Sequence, residues 1–241
     1  MPTVLLVRHG RTTANAEGVL AGRAAGVRLD AVGREQAART ARRLAAVPLA
    51  AVVTSPLERC RQTARVLVDQ QGDQQGNQQD DAAATPPTLV EHGISECDYG
   101  RWQGKALRDL AKDPLWSLVQ TQPSAVTFPG GESLAAMQSR SVAAIRRHDA
   151  ELEERHGKGA VWAAVAHGDI IKAVLADALG MHLDLFQRIA VGPASVSIVR
   201  YGPHRPEVVA VNTDAGDLSW LREARPAGDA PVGGGAGAGA S

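Results

Sequence analysis

Arg8-His9-Gly10 follows directly on a short apolar run, Thr3–Val7, and a second His-Gly pair, His167-Gly168, follows another, Ala160–Ala166. An imidazole beside an arginine at the end of one buried strand, with a second imidazole at the end of another, is chemistry suited to an anion. One ring can act as nucleophile or proton carrier while the guanidinium supplies fixed charge. Ligands in open α/β sheets bind outside the carboxyl ends of the strands, so both ends are expected to open on one crevice. Other polar groups fall in the same places. Arg59 opens the helix after a second strand, Glu96 lies six residues beyond a third, and Asn15 follows His9 by six residues. The connections thus deliver two histidines, two arginines, a carboxylate and an amide to one rim.

The elements that must position these groups alternate along the chain. Thr3–Val7 is a continuous β-rich run, as expected of a strand buried on both faces. Ala37, Ala41, Leu44 and Ala45 recur at helical spacing among arginines over residues 31–46. Ala50–Thr54 is a second strand. It runs into Ser55-Pro56-Leu57-Glu58, where Ser55 is placed to cap a helix, Pro56 to take its first position and Glu58 to complete a capping box. That helix is predicted to end near Val68. Thr88–Val90 gives a third strand, and residues 105–130 short helices and loop. A long helix starts at Glu132 or Ser133 and stops at Gly157, with Leu134, Met137, Ile145 and Leu152 broadly on one face. Ala160–Ala166 is the fourth strand, and a helix from His167 closes at Gly180. Ser195–Tyr201 and Glu207–Val211 form a final pair through Gly202-Pro203. Such alternation predicts a three-layer α/β sandwich, a mostly parallel central sheet flanked by helices.

Residues 1–221 are expected to form a single catalytic domain. Residues 69–87, DQQGDQQGNQQDDAAATPP, are low in complexity and without apolar periodicity, and are expected to be a disordered surface insertion. Residues 222–241, rich in glycine and alanine, are expected to be a disordered tail. With 26 basic and 26 acidic residues the net charge is zero, and no basic block or arm is present. Nucleic acid is therefore not an expected partner, and any anion site must be local. Two cysteines, Cys60 and Cys97, cannot build a disulfide framework or a four-ligand zinc site. The chain enters a strand without a signal peptide and its apolar runs fall short of a membrane span, so a cytoplasmic protein with no membrane partner is expected. No motif assigns an oligomeric state.

The segment Arg8-His9-Gly10-Arg11-Thr12-Thr13-Ala14-Asn15 resembles the RHGxTxxN opening of the histidine phosphatase superfamily, the phosphoglycerate-mutase-like enzymes. Four further segments are similar to later blocks of that family, in its order: Leu29–Ala37, Ser55–Ala64, Glu96–Gly104 and Ala166-His167-Gly168. The resemblance runs from residue 3 to about residue 200 and implies a phosphoglycerate-mutase-like fold. It also implies roles. His9 corresponds to the nucleophile that becomes phosphorylated, and Arg8, Arg59 and His167 to the cationic pocket around the phosphoryl group. Asn15 corresponds to a further phosphate contact and Glu96 to the proton donor. Glu132, in Gly130-Gly131-Glu132-Ser133, is the alternative acid.

The chemistry fits these residue types. Phosphoryl transfer is catalysed mostly by positioning and preorganised positive charge, and arginine forks match phosphate oxygens. Neighbouring arginines disfavour protonated His9 and keep it nucleophilic. A carboxylic acid can protonate the leaving oxygen and then deprotonate the attacking water. The pocket supplies the charge, so neither metal nor cofactor is implied. Cys60 and Cys97 each adjoin a site residue, which admits an oxidation-sensitive site, but small residues filling local space are the simpler expectation. The histidines at 92, 148, 156, 182 and 204 are expected at the surface.

Within the superfamily the same pocket can return the phosphoryl group to a substrate hydroxyl or pass it to water. A cofactor-dependent phosphoglycerate mutase, a phosphomutase, needs extra basic residues over the pocket. Here Arg101, Lys105, Arg108 and Lys112 are offset by Asp109 and Asp113, and Arg11 replaces the acidic or glutamine residue common after Arg-His-Gly. The expected activity is therefore a metal-independent phosphatase, a phosphoric monoester hydrolase acting on small phosphorylated metabolites through phosphohistidine on His9. Mutase-type transfer is the alternative, and an inactive scaffold on the same fold a third.

Overall fold

In the computed structural model, residues 1–75, 85–214, 216 and 232–235 are described. β1 (Thr3–Arg8) is buried along nearly its whole length, and its alternate side chains enter different cores. Val4 and Leu6 pack with Ile170, Ile171 and Val174 on one face of the sheet, Leu5 and Val7 with Ala41, Leu44 and Leu67 on the other. That is the two-residue period of a strand covered on both sides. The covering helices are α6 (Leu134–His156) and α7 (Gly168–Ala178) on the first face, α2 (Ala31–Leu44) and α3 (Glu58–Gln75) on the second. A three-layer sandwich results.

Among the described residues the sheet holds six strands. β1 is joined by β2 (Val52–Thr54), β3 (Thr88–Val90), β4 (Val161–Ala166), β5 (Val196–Tyr201) and β6 (Pro206–Thr213), in the order β3-β2-β4-β1-β5-β6. β1, β2, β3 and β4 run parallel; β5 and β6 are antiparallel to their neighbours. Register decides the function. Arg8 pairs with Ala166, so His9 and His167 leave adjacent strands side by side, and Thr54 pairs with Val165, bringing Ser55 to the same edge. Among the described residues no helix is long and apolar enough to cross a membrane.

Helix boundaries follow their caps. Asp30 accepts the N–H of Gly33 at 2.6 Å to start α2, and Ser133 accepts that of Ala136 at 3.1 Å to start α6, which Gly157 ends. The expected disordered insertion needs correction at its start. α3 continues through residues 69–75, because glutamine is a good helix former and Gln71 has a use for its amide. Buried against α2, its Nε2 donates to the carbonyls of Leu44 and Val47, both at 3.0 Å. At the far side Pro87 accepts the N–H of Val52 at 2.9 Å, and residues 76–84 lie outside the described residues. The expected disordered tail is corrected at one point too. Val232–Gly234 forms a 3-10 turn with Val232 buried, while 217–231 and 236–241 lie outside the described residues.

Candidate active site

The Arg8-His9-Gly10 turn is seated by close backbone packing. A Cβ on Gly10 would come within 2.3 Å of the Gly33 carbonyl oxygen, and one on Gly33 within 1.9 Å of that of Arg11. Only glycine at both positions lets the first turn of α2 press against the strand end. From the other side the Gly10 N–H donates to Thr63 Oγ1 of α3 at 3.2 Å.

Arg59, on the first turn of α3, reaches between the two imidazoles. Its Nε donates to His9 Nε2 at 3.2 Å and its Nη2 to His167 Nδ1 at 3.1 Å and to the Gly22 carbonyl at 2.8 Å. A guanidinium only donates, so those ring nitrogens are the acceptors. The ring protons therefore sit on His9 Nδ1, donated to the Gly10 carbonyl at 2.7 Å, and on His167 Nε2, donated to Ser55 Oγ at 2.8 Å. The rings lie edge to face, 5.3 Å between centroids. Arg59 Nη1 is buried and has no hydrogen-bond partner among the described residues. A donor left in that condition is costly unless an acceptor arrives.

Burial, with the charges of Arg59 and Arg8 next, holds His9 well below the usual imidazole range. His167 is likewise pushed down by burial, then by Arg59 and His9. The permanent charge of the pocket resides on the two arginines, and His167 contributes a ring nitrogen that accepts from Arg59. Arg8, fully buried, is lowered to about 10 by desolvation and stays charged at neutral pH. It donates to the Val191 carbonyl at 2.8 Å and to the Gly235 carbonyl at 2.5 Å.

Glu96 is 3 % exposed in the wall of the crevice. Its Oε1 accepts the Cys97 N–H at 2.9 Å, and its Oε2 lies 3.7 Å from His167 Nδ1. Desolvation, then the nearby Asp169 carboxylate, raises it to about 7 against the pull of Arg59 and Arg8. Such a group is poised to give and take a proton at neutral pH. Glu132 lies elsewhere. It is bound by Arg140, Arg23 and the Asp98 N–H, and does not line the crevice.

Asn15 lines the crevice, but its Oδ1 accepts from the backbone N–H and hydroxyl of Thr12, the N-cap of α1 (Thr13–Ala16), at 3.1 and 2.9 Å. Only its amide N–H₂ end is left for an anion. Arg11 turns away to Asp30, 2.8 Å distant. Cys60 and Cys97 are buried, and burial raises both thiols, Cys60 to about 12, so they pack rather than react. Of the histidines expected at the surface, His148 is corrected: on α6 it is buried, its Nε2 2.8 Å from Glu91.

Three functional contacts escape sequence reasoning. Ser55 does not cap α3, which begins at Glu58; its hydroxyl goes to His167 because β2 and β4 are neighbours. Asp169, buried at the start of α7, accepts from Tyr99 Oη at 2.8 Å and sits close enough to raise Glu96. Its signal was its place two residues after His167. The turn at Val232–Gly235 had none. It lines the crevice, and Gly233 donates its N–H to Asp169 at 3.0 Å.

Known proteins resemble this chain in sequence and in fold. Over 200 residues the chain is 30% identical to a bifunctional protein of Mycobacterium tuberculosis, covering 82% of this chain and 50% of that one, so it spans half the length of that curated relative. Phosphoserine phosphatase 1 of Hydrogenobacter thermophilus is 26% identical over 215 residues, covering 88% and 92% of the two chains. The structure of a mycobacterial glucosyl-3-phosphoglycerate phosphatase shares the fold, with a TM-score of 0.74 at 23% identity over 88% of this chain and 99% of that one. The pattern of the histidine phosphatase superfamily (branch 1) matches residues 4–214, from β1 through β6. With two histidines, two arginines and a buried carboxylate meeting at the strand ends inside that span, the chain belongs to the histidine phosphatase superfamily.

Proposed function

We propose that the protein is a metal-independent phosphatase that hydrolyses a small phosphorylated metabolite through a phosphohistidine on His9. The neutral Nε2 of His9 attacks phosphorus, forming the N–P bond as the P–O bond to the leaving group breaks. Glu96 gives its proton to that leaving oxygen. The carboxylate then takes a proton from water, whose oxygen attacks the phosphohistidine, releasing phosphate and restoring His9. Arg8 and Arg59 hold the phosphoryl oxygens throughout, and Asn15 adds its amide donor. No metal is needed because the arginines supply the charge.

The observation that carries this reading is the Arg59 fork. Its Nε holds the Nε2 lone pair of His9 until a phosphoryl oxygen takes that donor and frees the nitrogen to attack, and its Nη1, buried and without a partner among the described residues, is a further donor for the incoming group. Hydrolysis is favoured over mutase transfer because Arg101, Lys105, Arg108 and Lys112 are all exposed and none lines the crevice. A doubly phosphorylated intermediate would need such charges turned inward.

The test is phosphate release by wild type and His9→Ala in the presence of a chelator. The panel includes phosphoserine and glucosyl-3-phosphoglycerate, named for relatives, and 3-phosphoglycerate is followed for conversion to 2-phosphoglycerate. Release that falls by about 10⁴-fold or more in the variant, without isomerisation, is expected for loss of a nucleophile. Isomerisation without release would make the protein a mutase; turnover retained by His9→Ala would overturn the mechanism.

A further inference from the structure

The carboxyl of Glu96 is placed less by its own contacts than by those of the backbone that carries it. Behind the crevice, Arg140 of α6 uses all five of its N–H donors on that loop and its support. Nη1 donates to the carbonyls of Gly93 and Ser95 at 2.7 and 2.9 Å. Nη2 donates to the Glu96 carbonyl at 3.2 Å and to Glu132 at 2.6 Å, and Nε to Glu132 at 3.0 Å. Glu132 extends the clamp by accepting the Asp98 N–H at 2.8 Å and Arg23 Nη2 at 2.9 Å. Arg23, from the loop that carries Gly22, adds its Nε to the same Glu96 carbonyl at 2.7 Å. Gly93, Ser95, Glu96 and Asp98 are therefore all tied to one ionic network that does not touch the phosphoryl pocket.

A general acid must stay within hydrogen-bond reach of the leaving oxygen, and a supporting shell that lets it drift by an ångström loses much of the rate. We propose that Arg140, acting with Glu132, is the positioning residue for the general acid, fixing the Glu96 peptide so that its carboxyl meets the leaving oxygen. This rests on Glu96 being that acid. Lysine cannot replace the fork: it carries three donors at one point, against five in a plane.

The effect is separable from stability because it depends on the leaving group. p-Nitrophenyl phosphate leaves with little protonation, whereas an alkyl phosphate does not. The experiment measures kcat/KM of Arg140→Met, Arg140→Lys, Glu132→Gln and Glu96→Gln on p-nitrophenyl phosphate and on the alkyl phosphate best hydrolysed in the panel above, with thermal midpoints alongside. Arg140→Met is expected to lower alkyl turnover about tenfold or more beyond its effect on the aryl ester, within the about 10²–10⁴-fold of a lost acid. Arg140→Lys and Glu132→Gln should follow in the same direction, and in a Glu96→Gln background Arg140→Met should leave the ratio unchanged. If Arg140→Met does not fold, Glu132→Gln decides alone. Selectivity in Glu96→Gln with equal losses on both esters in the clamp variants would overturn the positioning role. Equal losses in Glu96→Gln itself would overturn the premise, the acid being elsewhere.

Discussion

Glu96 illustrates how a residue's catalytic fitness opposes its contribution to the fold. Desolvation and Asp169 raise its carboxyl from an ordinary value near 4.5 to about 7. A raised acid binds more protons folded than unfolded, so between those values folding stability falls as pH rises. Replacing it removes that penalty. Glu96→Gln is expected to be more stabilising at pH 8 than at pH 5 by on the order of 2 kcal/mol, read from denaturant unfolding at the two pH values. The same titration shapes the rate: wild-type kcat/KM for alkyl esters should decline above about pH 7, as the protonated acid is lost. His9, His167, Arg8, Arg59 and Glu96 were legible in sequence as a group, each at or a few residues beyond a strand end, with their roles implied by resemblance to the family's motifs. Ser55 and Arg140 were not. A hydroxyl before Pro-Leu-Glu reads as a cap, and an arginine in an amphipathic helix reads as solvated, until the partners from β4 and the Glu96 loop are in place.

At the scale of elements, the contact between the β1 turn and the start of α2 is the tightest constraint on the site. Gly33→Ala would drive a methyl to 1.9 Å from the Arg11 carbonyl oxygen, so strand and helix must separate. A loss of about 1–3 kcal/mol is expected for such overpacking, with weaker phosphate binding, because Arg8 and His9 move with the turn. Chemical denaturation together with calorimetric titration of inorganic phosphate checks both. Helices and strands were largely readable from period and punctuation. One exception is the end of α3, where a Gln-rich repeat looks polar and aperiodic. Its helical continuation depends on carbonyls at the far end of α2, and no local pattern announces them.

For the whole molecule, the sheet order sets everything else. Chain order alternates strand and helix, but function needs β4 between β1 and β2, which brings residues 9, 55, 59 and 167 within one hydrogen-bonded group. The alternation of elements predicted the sandwich and the crevice, and the family pattern spans it. It did not predict that Val232–Gly235 would lie in that crevice, with the Gly235 carbonyl on an Arg8 donor that a phosphate oxygen would need. Deleting residues 232–241 is expected to lower KM about twofold to tenfold if the Gly235 carbonyl and a phosphate oxygen compete for the same Arg8 donor. Steady-state kinetics on the two forms decides it. The same turn makes the protein convenient for optical work. Cys60 and Cys97 are fully buried with raised thiol values, so a dye aimed at thiols should label only a cysteine introduced on the turn itself, as in Gly235→Cys, half-buried in the crevice wall. A change in its emission on adding inorganic phosphate would report, in real time and without turnover, competition between the anion and the turn for Arg8.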